Sequence, residues 1–178
     1  MKEKSDTQLK IADFGFAKKI REPYSLRTQC GTPGYVAPEI LNGTPYGQEV
    51  DNWSLGVIIY ILLGGYPPFS EPKRKDLFAK IRNADYEFHD KYWKKVSKGS
   101  KDLISKLLTK DAKKRITAKA ALKHEWILEK DDQLEKQDLG VNLERFKAYN
   151  LERKFKATVN AVRFFAKIIF HVRFIPLG

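Results

Sequence analysis

Residues 30–39 read "CGTPGYVAPE". Gly31, Pro33, Gly34 and Pro38 break any long regular element here, so the stretch is a loop that other parts of the chain must hold in place. It lies inside a longer irregular region, 18–50, broken again at Pro23, Gly43, Pro45 and Gly47. On its C-terminal side, residues 51–63 are mostly apolar, without a break from Leu55, and long enough to predict a buried helix, stopped by "GGYPPF". On its N-terminal side, "QLKIA" at 8–12 alternates polar and apolar residues and predicts a short strand. The triplet Asp13-Phe14-Gly15 follows it, and read alone is a strand ending in a turn.

Further along, "SEPKRKDLFAKIRNA" predicts a helix with Pro72 in its first turn and Leu77, Phe78 and Ile81 on one face. "SKDLISKLLTK" opens on Ser100 as N-cap and lines Leu103, Ile104, Leu107 and Leu108 on one side. Thr117 caps a further short helix, "AKAALKHEW". Residues 129–141 carry Glu129, Asp131, Asp132, Glu135 and Asp138 and read as an acidic exposed connector. From Asn142 to about His171 the pattern is one long basic helix. The expected organisation is a mainly helical body over 1–128, a connector over 129–141 and a basic tail over 142–178.

The length of 178 residues, 42% hydrophobic, suits one domain with a core and an appendage. The single cysteine, Cys30, excludes an internal disulfide and fits the cytosol or nucleus. The longest apolar run, 55–66, is too short to span a membrane, and the polar start has no apolar leader. Net charge is +12, and half of that excess falls in residues 142–178, which hold eight Lys/Arg against two Glu. A basic tail of this kind expects an acidic partner.

Four motifs stand in order: Asp-Phe-Gly at 13–15, "CGTPGYVAPE" ending at Glu39, "DNWSLGVIIY" from Asp51, and "KKRITAKAALKHEW" from Lys113. Over about residues 8–128 the chain resembles the C-terminal lobe of a Ser/Thr protein kinase, an incomplete α+β kinase fold. Within that family, the motifs and the basic helical tail look most like the calcium/calmodulin-dependent group. The resemblance implies that Asp13 chelates the magnesium bridging ATP phosphates, with Gly15 turning the backbone beneath it. It implies that Thr28 is phosphorylated by an upstream kinase and that Lys18 pairs with that phosphate; read alone, Thr28 is an exposed loop threonine. Thr32 matches the residue that hydrogen-bonds the catalytic aspartate. Glu39 and Arg115 match a buried ion pair, Asp51 the brace beneath the catalytic loop, and Trp53 and Gly56 the packing of the central helix.

The Gly-rich phosphate loop, the strand lysine and the His-Arg-Asp catalytic loop of the family are not among these residues. None of His89, His124 and His171 precedes an Arg-Asp pair. Two readings follow. In one, a larger protein transfers the ATP γ-phosphate to Ser or Thr of protein substrates, and this portion alone is inactive. In the other, the chain is a non-catalytic module binding calmodulin or kinase substrates.

In the tail, "RKFKATVNAVRFFAKIIFHVR" (153–173) carries six Lys/Arg and no acid. A basic amphipathic helix binds calmodulin, packs on the body, or lies on a membrane surface. Phe155 and Ile168, thirteen positions apart with Val159 and Phe164 between, resemble a calmodulin anchor pattern. The resemblance therefore implies calcium-loaded calmodulin as partner, held by Arg153, Lys154, Phe155, Lys156, Val159, Val162, Phe164 and Ile168, on a helix that is also autoinhibitory. Nucleic acid is not expected, because the aromatic residues share a packing face with aliphatic ones. Asn142 stands where related kinases carry an autophosphorylated threonine, so activation by that route is not expected.

Overall fold

A computed structural model of the chain describes residues 11–20, 22–128 and 140–155. The body is helical: α1 Pro38–Leu41, α2 Glu49–Gly64, α3 Arg74–Asn83, α4 Asp90–Trp93, α5 Lys98–Leu107, α6 Ala118–Ala121 and α7 Glu125–Leu128. Residues 140–155 form a further helix, α8. Of the strand expected at 8–12, residues 8–10 lie outside the described residues, and Ile11 and Ala12 belong to no strand. The one strand-like pairing among the described residues is an antiparallel bridge of Leu26 with Tyr46, closed by two backbone hydrogen bonds of 3.2 and 3.0 Å.

The core is built on α2. Trp53, Val57, Tyr60 and Ile61 are buried against Ile81, Trp93, Val96, Ile104 and Leu108. Burying side chains of this size contributes roughly 2–3 kcal/mol each. Gly56 sets the approach of α2 and α5, because a Cβ there would lie 2.9 Å from Leu107 Cβ and from Leu108 Cδ2. Rings cluster around Tyr60, which contacts Tyr66, Tyr86, Phe88 and Trp93.

Three local expectations are corrected. The N-cap of α5 is Ser97, whose Oγ accepts from the Ser100 backbone N–H at 3.2 Å, while Ser100 is the buried donor one turn in. Pro72 precedes α3, which starts at Arg74 with Lys73 as an extended N-cap. Thr117 does cap α6, accepting from the Ala120 N–H at 3.2 Å. The stretch expected to follow as one helix divides into α6 and α7, because a new start forms at His124, whose ring Nδ1 accepts from the Trp126 N–H.

Candidate functional site

Asp13 sits in the left-handed region, φ 64 and ψ 74, and its Oδ1 accepts from the Gly15 N–H at 3.3 Å. A short 3-10 turn, Phe14–Phe16, follows. Beyond it the chain lines a cavity of about 470 Å³ that brings Gly15, Lys18, Thr28, Cys30, Thr32 and Asp51 onto one wall system. The described residues thus place the expected phosphosite, its lysine and Thr32 together.

Two fastenings hold the loop, and the first is one that the sequence reading missed. Tyr46 Oη donates to the Thr28 carbonyl at 2.7 Å, two residues beyond the Leu26–Tyr46 bridge. Burial, with the Cys30 thiol beside it, pushes the Tyr46 phenol above its ordinary value. The second is Arg115, only 3% exposed, whose two terminal nitrogens donate to Glu39 Oε1 at 2.7 Å and Oε2 at 2.9 Å. Arg115 also donates to the carbonyls of Glu49 and Thr109, and its guanidinium lies 5.1 Å from the Trp53 ring centroid. Every face of the cation is therefore satisfied, the condition under which a buried charge is tolerated.

Asp51, at the start of α2, is exposed and is among the residues lining the cavity. Desolvation pushes its carboxyl above the usual range. Ser54, one turn on, donates to the Tyr35 carbonyl at 2.9 Å and ties the end of the loop to the helix. Asp13 offers one carboxylate, and magnesium beside a nucleotide is commonly held by one or two carboxylates with waters and phosphate oxygens completing its six ligands. Among the described residues no cluster of three or more His, Cys, Asp and Glu could hold a metal.

A second cavity, about 720 Å³, lies where α8 crosses the segment 32–35 and the turn after α2. Its walls include Thr32, Tyr35, Tyr66, Arg145, Tyr149 and Arg153. Burial and a hydrogen bond with Tyr35 push the Tyr149 phenol up to about 12. Of the expected calmodulin-binding residues, Arg153, Lys154 and Phe155 are exposed on α8, Phe155 by 70%. Lys156, Val159, Val162, Phe164 and Ile168 lie outside the described residues, as does most of the acidic connector.

Residues 1–127 match the protein kinase domain family. Calcium/calmodulin-dependent protein kinase type IV of Mus musculus is 44% identical over 158 residues, 88% of this chain and 33% of that protein. Calcium/calmodulin-dependent protein kinase type 1B of Rattus norvegicus is 44% identical over 163 residues, 92% of this chain and 47% of that protein. Myosin light chain kinase A of Dictyostelium discoideum is 51% identical over 120 residues, 67% of this chain and 41% of that protein. The chain belongs to the protein kinase family, and over most of its length it is similar to these calcium/calmodulin-dependent kinases. It spans between a third and a half of the length of these relatives. No helix among the described residues is long and apolar enough to cross a membrane.

Proposed function

We propose that these residues serve a calcium/calmodulin-regulated protein kinase that transfers the ATP γ-phosphate to Ser or Thr of protein substrates. The observation that carries the reading is the Glu39–Arg115 fork, which fastens the loop running from Asp13 to the floor of the body. On this reading Thr28 receives an activating phosphate from an upstream kinase. Lys18, on the same cavity wall, pairs with it. Asp13 supplies one magnesium ligand and Thr32 shapes the phosphoacceptor site. Asp51, whose carboxyl is desolvated yet meets no hydrogen-bond partner among the described residues, braces the catalytic loop.

Residues 1–178 by themselves do not catalyse. Phosphoryl transfer depends on positioning and on neutralising phosphate charge, and one exposed carboxylate supplies neither. In isolation these residues act as a calmodulin-binding portion with a substrate-facing surface.

The test joins the N-terminal lobe and catalytic loop of the rat type 1B kinase ahead of residue 1. The chimera should phosphorylate a Ser/Thr peptide with magnesium-ATP, and Asp13→Asn should reduce turnover at least a hundredfold. A folded chimera that binds ATP but transfers no phosphate would overturn the reading. So would turnover by residues 1–178 alone.

A further inference from the structure

In "EPKRKDLFAKIR" (71–82), Arg74, Phe78 and Arg82 fall at i, i+4 and i+8, on one face of α3. The fold turns that face toward the loop before α1, and the two enclose a cavity of about 210 Å³. Its floor is apolar, lined by Pro33, Val36, Ile40 and Leu41. Gly31 lets the loop lie down on that floor: its φ is +128°, and a Cβ there would stand 2.9 Å from Val36 Cγ2. Gly31 and Pro33, which both line the cavity, flank Thr32, the residue assigned above to the phosphoacceptor site.

Charge in this cavity has one sign. Arg74 and Arg82 line it, and among the described residues no Asp or Glu does. Glu71, three positions before Arg74, is committed to Lys80 at 2.7 Å. Both guanidiniums are already placed by the fold. That of Arg74 lies 5.1 Å from the Phe78 ring centroid, and Arg82 Nη2 donates to the Leu41 carbonyl at 3.1 Å. An arginine carries several N–H donors in a fixed fork, so Arg82 retains donors that match the paired oxygens of a carboxylate. At about 1.5 Å of rise per residue, Arg74 and Arg82 stand about 12 Å apart along α3. An extended peptide covers that length in about four residues.

We infer that this cleft selects protein substrates that carry Asp or Glu a few residues from the phosphoacceptor, with an apolar side chain nearer to it, and that Arg74 and Arg82 read the acidic positions. The inference rests on the kinase reading above and names the substrate class for that site. The apolar residue of the substrate covers Pro33 and Val36, and the acidic residues beyond it meet the α3 face. Both arginines are exposed, so their attraction for an acidic segment weakens as salt rises. The same two charges reject a cationic segment, so the cleft discriminates by repulsion as well as by attraction.

The test uses the chimera described above and peptides that hold one serine with a leucine beside it. On the N-terminal or the C-terminal side of the serine each peptide carries a pair of glutamates about four residues apart, or glutamines or lysines in the same places. On one side, the glutamate peptide should exceed its glutamine counterpart in kcat/KM at least about fivefold, through KM, and the ratio should shrink as salt is raised. In Arg74→Glu with Arg82→Glu the order should invert, with the lysine peptide preferred. Each ratio is taken within one protein, so a partial loss of folded enzyme cancels. If the double variant does not fold, Arg74→Gln alone should cut the ratio at least about twofold. Phosphate transfer with a ratio within about twofold of unity on both sides overturns the inference and leaves the kinase reading standing. A preference for glutamate that survives the charge reversal, or Arg74→Gln where that variant decides, overturns it as well. If the chimera transfers phosphate to no peptide, the kinase reading falls, and titration of residues 1–178 with the labelled peptides decides. Tighter binding of a glutamate peptide then supports the cleft's charge selection, and equal binding of glutamate and glutamine peptides overturns it.

Discussion

Arg115 grips both carboxylate oxygens of Glu39, at 2.7 and 2.9 Å, across 76 positions of sequence. The arginine side chain is fully buried and that of the glutamate nearly so, so removing either leaves an uncompensated charge in the interior. Arg115→Ala should therefore lower stability by about 3–5 kcal/mol, read from urea unfolding followed by tryptophan fluorescence. Arg115→Lys should rescue little of this, because an ammonium cannot form the two-pronged contact. Proteolysis within 22–38 should be faster in both variants. Unchanged cleavage there would mean that the fork does not hold the loop.

Tyr46→Phe removes a single hydroxyl and with it the 2.7 Å bond to the Thr28 carbonyl. Global stability should fall by about 1 kcal/mol. The larger effect should be local, as faster amide exchange over 26–32 and faster phosphorylation of Thr28 by an added kinase. If exchange there is the same as in the unaltered chain, the bond does not order the segment.

Asp51 and Asp102 should respond to pH with opposite signs. Desolvation raises the Asp51 carboxyl above its unfolded value, so its stabilising form is the protonated one, present at low pH and lost as pH rises through the folded pKa. Asp51→Asn should therefore stabilise residues 1–178 at pH 7 and change little at pH 3. Asp102 is lowered, first by its hydrogen bond to Lys106 and then by that to His124, so its contribution is present above the ordinary carboxylate range and fades as pH falls. Asp102→Asn should destabilise at pH 7 by less than about 1 kcal/mol, since the pair is half exposed. Urea midpoints at the two pH values decide both signs.

Phe155 presents its ring to solvent, 70% exposed, beside Arg153 and Lys154. Burying an aromatic anchor contributes roughly 2–3 kcal/mol, so Phe155→Asp should weaken calcium-loaded calmodulin about a hundredfold or more. Charge reversal at Lys154 should act mainly on the association rate and its salt dependence. Binding that ignores calcium and survives Phe155→Asp while following anionic vesicles would move the tail to a membrane surface.

What the residues alone determined was local or carried by motif. Continuous apolarity marked α2, and the Thr117 hydroxyl marked the start of α6, because a cap bonds only three residues ahead. The Glu39–Arg115 contact could be named because both residues sit inside distinctive motifs. Even within local structure the choice of Ser97 over Ser100 escaped, since both can cap and only burial of Ser100 decides between them. Tyr46 at Thr28, and Asn142 at Leu63 and Tyr92, had no signal in the chain. The partners of Asn142 lie 79 and 50 positions away, and they are backbone carbonyls that every residue carries. Which carbonyls remain open is set by where α2 and α4 end and by how closely α8 approaches, so only tertiary packing could select the side chain that completes them.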